Sequence, residues 1–289
     1  MVEKENKLIT MAWESKKNWN LVFILLAPAI LIVASGYLSV FLFKIISLYI
    51  LSNNIIGLFI PHVVSIFLIF LLVKFIEKRD FSTLGFRTNN FFLKYLKGLG
   101  IGIILVSITV IIMKAINVID IEINKIRVND VLNIGIYFLM FMIQGAGEEI
   151  YLRGWQMPLL GKKWGLPLAI IVNSLFFSLL HLLNPSFTLI PFINIVIVGI
   201  LFSIYAFNEE SIVGACGIHS SWNWMIGSIF GFEVSGMKLG ESSLFGIRIK
   251  GSEIFTGGGF GPEGSIIVTI VLLVFTLIIW NKFRKLNRI

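Results

Sequence analysis

Eight stretches of almost uninterrupted apolar residues, each near the length of a membrane-spanning helix, govern what this chain can fold into. They run over residues 20–48, 55–77, 95–117, 131–151, 165–183, 187–207, 211–230 and 265–281. An unpaired backbone N–H or C=O is too costly inside a bilayer to leave exposed, so such stretches fold as helices. The expectation is an all-α, polytopic membrane helix bundle of about eight transmembrane helices. With 57% hydrophobic and 14% charged residues, the composition excludes both a water-soluble globule and a disordered chain. The first stretch follows Lys16 and Lys17 as a secretory leader would. It is too long and lacks a small-residue cleavage site, so it reads as an anchor. One cysteine, Cys216, excludes an intramolecular disulfide framework and any cysteine-built metal site.

A formal charge of +8 would suggest nucleic acid in a soluble protein. Here it reports inside-facing loops, and no nucleic-acid partner is expected. Seventeen Lys and Arg residues fall in the N-terminal tail, the second-to-third and fourth-to-fifth connections, and the C-terminal tail, against five in the other connections. Lys44 and Lys114 lie near helix ends, where a long side chain snorkels to the interface. This asymmetry puts the chain in the cell membrane with both termini cytoplasmic. No internal repeat or linker divides it. Residues 1–130 hold the N-terminal tail and first three transmembrane helices, 131–230 a motif-bearing core, and 231–289 an outer loop, the last helix and a basic tail, together one integral membrane domain. The glycine-dense run Thr256–Pro262 in the outer loop lacks the Gly-Lys-Ser/Thr ending of a phosphate loop and reads as turn-forming glycine.

A charged or imidazole side chain inside a span requires a partner or a wet cavity. Three clusters of such residues occur, all in the second half of the chain. In the first, Glu149 and Arg153 are four apart on one helix face, acid before base, the favourable order for an ion pair. Glu148 lies ~100° around the helix and is left without that arginine. In the second, Asn173, Phe177 and His181 follow at i, i+4 and i+8, with Ser174 and Ser178 beside them. That polar stripe faces protein or water, and Phe177 is placed to pack on the imidazole. In the third, His219 and Asn223 present two hydrogen-bonding groups in one direction after the small residues Gly214-Ala215-Cys216-Gly217. Read singly, each cluster has a bland explanation: an interfacial charge patch for the first, helix–helix hydrogen bonding for the others. Together they hold a free glutamate, two histidines and an amide, the parts for activating water. His62, alone after Pro61, reads as structural, and Gly98, Gly100 and Gly102 as packing or flexibility features.

In order along the chain, Glu148-Glu149-x-x-x-Arg153, Phe177-x-x-x-His181 and His219-x-x-x-Asn223 resemble the signature of the CPBP family. These are the CAAX-processing and bacteriocin-processing intramembrane proteases, also called the Abi or type II CAAX prenyl endopeptidase family. The resemblance implies a membrane-embedded endopeptidase whose substrate is a membrane-associated peptide or protein. By motif position, Glu148 would be the general base on water with His181 assisting. His219 and Asn223 would stabilise the oxyanion, and Glu149, Arg153 and Phe177 would support the site. The family has been described both as metalloproteases and as glutamate proteases. No cofactor is assigned here; a divalent metal such as zinc would take Glu148, His181 and His219 as ligands.

The alternative is a non-enzymatic bacteriocin-immunity or resistance membrane protein whose polar residues serve helix packing. A transporter lacks the expected repeat and broken helix pair. Depth is a further question: Glu148 lies 14 residues from Lys162, ~21 Å at helical rise, and His181 18 from Lys163, ~27 Å. The site is therefore at mid-membrane or beyond, unless the helix bends after Gly145 and Gly147.

Overall fold

The computed structural model describes residues 6–47, 54–240 and 242–287. Lys4, Arg288 and the last residue of the first stretch, 48, lie outside the described residues. A short helix α1 (Lys7–Ala12) precedes α2 (Leu21–Ser47) and α3 (Asn54–Leu71), which a π-helical turn prolongs over Leu72–Ile76. Next come α4 (Phe91–Ala115), strand β1 (Ile119–Ile123) and α5 (Val128–Glu149). α5 runs on through a π-helical segment, Ile150–Gln156, into α6 (Met157–Trp164). α7 (Leu166–Leu179), α8 (Leu189–Glu209) and α9 (Val213–Trp224, with a π turn Met225–Ile229) follow. Strand β2 (Phe245–Ile249), short α10 (Glu253–Thr256) and α11 (Ile266–Asn287) complete the order.

The bundle is all-α and polytopic, and each of the eight predicted stretches is helical among the described residues. Among the described residues, five helices are long and apolar enough to cross a membrane: Leu21–Lys44, Phe59–Ile76, Phe91–Ala115, Val128–Trp164 and Leu189–Glu209. α7, α9 and the apolar part of α11 are shorter. Two boundaries differ from expectation. The fourth stretch continues as helix to Trp164 instead of ending at 151, passing Gly145 and Gly147 and turning π-helical over Ile150–Gln156. The fifth ends at Leu179 rather than 183, because i→i+3 bonds from His181 to Ser178 (3.0 Å) and Leu182 to Leu179 (3.2 Å) tighten the chain ahead of Pro185.

A lipid-exposed stripe on α2 (Val22, Leu26, Ile30, Val33 and Tyr37, all at least half exposed) recurs every three to four residues. α9 is its opposite: every residue from Val213 to Asn223 is buried. Its polar side chains are tolerated because its neighbours are helices rather than lipid. α4 lies against it so closely that a Cβ at Gly98 would fall 2.1 Å from the Gly214 carbonyl oxygen, and one at Gly102 2.1 Å from Ser221 Oγ. Gly98 and Gly102 are therefore packing glycines, while a Cβ at Gly100 meets nothing.

The two ends of the bundle differ in chemistry. At the lysine-rich end, Asn6 Nδ2 donates to Phe207 O (3.1 Å), Lys94 Nζ to Glu209 O (2.5 Å) and Ser211 Oγ to Gly85 O (2.8 Å). At the other end β1 and β2 pair antiparallel, Ile119 opposite Ile249 and Ile123 opposite Phe245. The loop beyond β2 turns at Gly257 (φ 87°) and Gly261 (φ 85°), a left-handed conformation that side chains resist. At Gly261 a Cβ would also sit 2.0 Å from the Glu233 carbonyl oxygen, so the turn reading of this glycine run holds.

Candidate active site

Two adjacent glutamates on α5 point to different partners. Glu149 is fully buried, and its Oε1 accepts from Arg153 Nη1 (3.0 Å) and from His219 Nδ1 (3.1 Å). The ion pair expected from the i, i+4 spacing forms, although Arg153 lies in the π-helical segment that starts just after the glutamates. A π insertion re-aims side chains on the following turn and recurs at functional sites. Arg153 is also held through its flat guanidinium, 4.3 Å above the Phe177 ring and 5.7 Å from Phe202.

Glu148 makes no contact with Arg153. Its Oε1 accepts from Gln144 Nε2 (3.2 Å), and its Oε2 lies 3.8 Å from His219 Nε2. Gln144 Oε1 in turn accepts from Asn223 Nδ2 (3.0 Å), which links α9 to the carboxylate. His219 thus stands between the two glutamates, Nδ1 toward Glu149 and Nε2 toward Glu148. A carboxylate oxygen only accepts, so Nδ1 carries a proton and Nε2 is the nitrogen left for chemistry.

His181 sits in the turn beyond α7 rather than on the helix. Its Nδ1 lies 2.9 Å from the Phe177 carbonyl, one of the helix's terminal acceptors. By the same reasoning Nδ1 donates, and Nε2 has no protein partner among the described residues. Phe177 packs edge-on against the imidazole, centroids 5.0 Å apart at 82°, as its position one turn earlier suggested. The Asn173 end of the stripe serves another purpose: its Nδ2 donates to Gln156 Oε1 (2.7 Å) and Leu152 O (3.2 Å), tying α7 to the π segment.

Glu148, His181, His219 and Asn223 all line one cavity of about 380 Å³. His62, read as structural from the sequence, lines it too. α3 crosses α5 closely enough that a Cβ on Gly147 would meet His62 Cβ at 3.7 Å. Tyr151, Trp222, Gln144 and Glu263 are further lining residues that sequence reasoning passed over. Glu263 accepts from Trp222 Nε1 (3.0 Å), Ser235 N (2.6 Å) and Ser235 Oγ (2.9 Å), which fastens the glycine-dense loop beside Asn223. For Gln144 a signal existed, a carboxamide four residues before Glu148 within a span; for Glu263 none did, because its partners are distant in sequence.

Among the described residues, no three His, Cys, Asp or Glu side chains are grouped as a metal ion requires. Glu148, His181 and His219 line one cavity but, as placed, do not form the three-ligand set of a zinc site.

An acid, imidazoles and an amide converging on a cavity within a membrane bundle have the composition of a hydrolytic site. Residues 130–225 match the family described as Type II CAAX prenyl endopeptidase Rce1-like. The matched third of the chain runs from α5 to the start of the π turn after α9 and carries all three motifs, so the resemblance read from them is borne out there. No curated protein and no solved structure matches the chain.

Proposed function

We propose that the chain is an intramembrane endopeptidase that hydrolyses a peptide bond in a membrane-associated protein or peptide precursor. One observation carries this reading: Glu148 is buried at a cavity wall, spends one oxygen on Gln144 and turns the other toward His219. Glu149 already serves Arg153, so Glu148 is the carboxylate available to take a proton from water. The hydroxide so formed adds to the scissile carbonyl, with His181 Nε2 within the same cavity to orient it. The oxyanion is met by Asn223 Nδ2, which has a second N–H beyond the one given to Gln144, and by His219 Nε2. Donation from both nitrogens requires His219 as imidazolium, and Glu149 at Nδ1 supports that form. Glu148 then passes its proton to the leaving amine, and the carbon–nitrogen bond breaks.

The protein works in the cell membrane with both termini in the cytoplasm and needs no catalytic metal. The test compares peptides in membranes bearing the native protein or Glu148→Gln, by mass spectrometry. Glu148→Gln keeps shape and hydrogen bonding while deleting base strength, and processing should fall by ~10²–10⁴-fold. Unchanged processing would leave a packing role, as in an immunity protein. Loss of activity on stringent chelation, restored by stoichiometric zinc, would refute the metal-free part alone.

A further inference from the structure

Among the described residues, the cavity reaches exposed side chains at one end of the bundle and a fully buried layer at the other. Its rim is built from the loop that follows α9: Met237, 45% exposed, and exposed Lys238, with Leu239 behind them. Asn184 Nδ2, at the α7–α8 turn, donates to Ser235 O (2.9 Å) and pins this rim to the turn that carries His181. Toward the lysine-rich end the space below the site is filled. Glu149, Arg153, Trp155, Gln156 and Asn173 are each 0% exposed. Gln156 Nε2 donates to Ile24 O (3.1 Å), locking α2 against the π segment. Below that, Glu77 Oε1 accepts from Trp19 Nε1 (2.6 Å) and Trp155 Nε1 (3.0 Å), while its Oε2 takes Arg79 Nε (2.6 Å). A peptide could reach Glu148 from that side only by taking this layer apart.

The charge asymmetry turns these two ends into membrane sides. With the helices traced, Lys44 and Lys114 fall at the rim end of α2 and α4, yet among the described residues fifteen Lys and Arg still belong to the sealed end, against seven at the rim end. Cationic connections stay in the cytoplasm. A second groove, about 680 Å³, shares Gly36 and Pro61 with the cavity and follows α2 to Lys44. It leads from the site toward the rim-side leaflet.

We infer that the cavity is served from the extracytoplasmic side, so that its substrate is the outer-face end of a membrane-anchored peptide rather than a cytosolic C-terminus. The apolar walls, with Phe59, Phe141, Ile195 and Val198, suit apolar residues flanking the scissile bond. This rests on the proteolytic reading for what happens in the cavity, and on the charge distribution and the sealed layer for which side it faces.

The experiment uses the full chain in intact spheroplasts and a membrane-impermeant bulky maleimide. Lys238→Cys is compared with Lys16→Cys, and the native chain, whose single cysteine Cys216 is buried, sets the background. Lys238→Cys should label in intact cells and Lys16→Cys only after permeabilisation. Labelled Lys238→Cys should lose at least about tenfold of the Glu148-dependent processing shown by the same variant unlabelled. Labelling of Lys238→Cys only after permeabilisation, or external labelling that leaves processing unchanged, would overturn the inference while proteolysis stands. The proteolytic reading fails separately, if processing is indifferent to Glu148→Gln.

Discussion

The neighbouring glutamates Glu148 and Glu149 should separate stability from activity when each is replaced. Glu149 and Arg153 are both fully buried, joined by one N–H···O bond of 3.0 Å, with His219 on the same carboxylate oxygen. At an effective dielectric constant of about 20, two unit charges 3.0 Å apart attract by about 5.5 kcal/mol. Desolvation offsets much of that, but removing one partner leaves the other charge buried alone, at ~3–5 kcal/mol. Because the contact is monodentate, the lower part of the range applies. Glu149→Ala should cost ~3 kcal/mol, roughly 100-fold in the folding equilibrium. Adding Arg153→Met removes the stranded charge, and the double variant should recover more than ~1 kcal/mol of the loss. Glu148→Gln keeps the Gln144 contact and should shift stability by less than ~1 kcal/mol. The assay is reversible unfolding in mixed micelles on these four proteins and on Arg153→Met, which completes the cycle, with processing measured alongside. Equal stability costs for the two glutamate variants, or no coupling between Glu149 and Arg153, would refute this division.

Gly102→Ala should destabilise by ~1–3 kcal/mol in the same assay, because its Cβ would press on Ser221 Oγ at 2.1 Å and Ile218 O at 2.6 Å, whereas Gly100→Ala should be neutral or stabilising. Asn223→Ala should lower kcat by ~100–1,000-fold with little change in KM, since an oxyanion donor acts on the transition state; an effect confined to KM would remove that role. On the hairpin outside the membrane, Lys250, Lys114 and Arg248 hold the Asp120 carboxyl well below its usual range. A depressed folded-state pKa contributes stability above the unfolded value and loses it as pH falls through the folded one. Hydrogen exchange of β1 and β2 should therefore stay protected as the medium is acidified through pH ~4, and rise only below that. Asp120→Asn should remove the protection's pH dependence.

How far the sequence discloses this molecule depends on the range of the interaction. The helices and the Glu149–Arg153 pair are local: hydropathy over twenty residues and an i, i+4 spacing suffice, and the pair survives even the shift from α to π geometry. The separateness of Glu148 from Arg153 is local as well. His181 was legible as a polar residue in an apolar run but not as one lying past its helix, because the end of α7 is set by tightening bonds at Ser178 and Leu179. His62 and Glu263 were illegible for a different reason. Each gains its place from a helix or loop distant in the chain, His62 through the close crossing at Gly147 and Glu263 through Trp222 and Ser235. The fourth stretch was read as ending at 151, with Gly145 and Gly147 as a bend point, and it runs on as helix to Trp164. At Gly145 and Gly154 the missing side chain instead admits neighbours: a Cβ there would meet Ser220 N at 3.1 Å and Leu84 O at 2.6 Å.

Polar groups in the membrane half nearest the basic end are turned inward on one another. Glu149, Arg153, Gln156 and Asn173 make their bonds to protein, across α2, α7, α8 and α9, and so fix the relative positions of the helices that bear the site. One turn away the pattern reverses: His181 Nε2, Glu148 Oε2 and the second amide hydrogen of Asn223 face a cavity and are not consumed by packing. Leaving such groups unpaired in hydrocarbon is costly, whereas water admitted through the rim would satisfy them. On the proposed proteolytic reading, the same water would be the second substrate. Filling the cavity with an apolar side chain, as in Ser65→Leu at its wall, should then raise stability or leave it unchanged while abolishing processing. If that variant kept full processing, the cavity would not be where water meets the peptide bond.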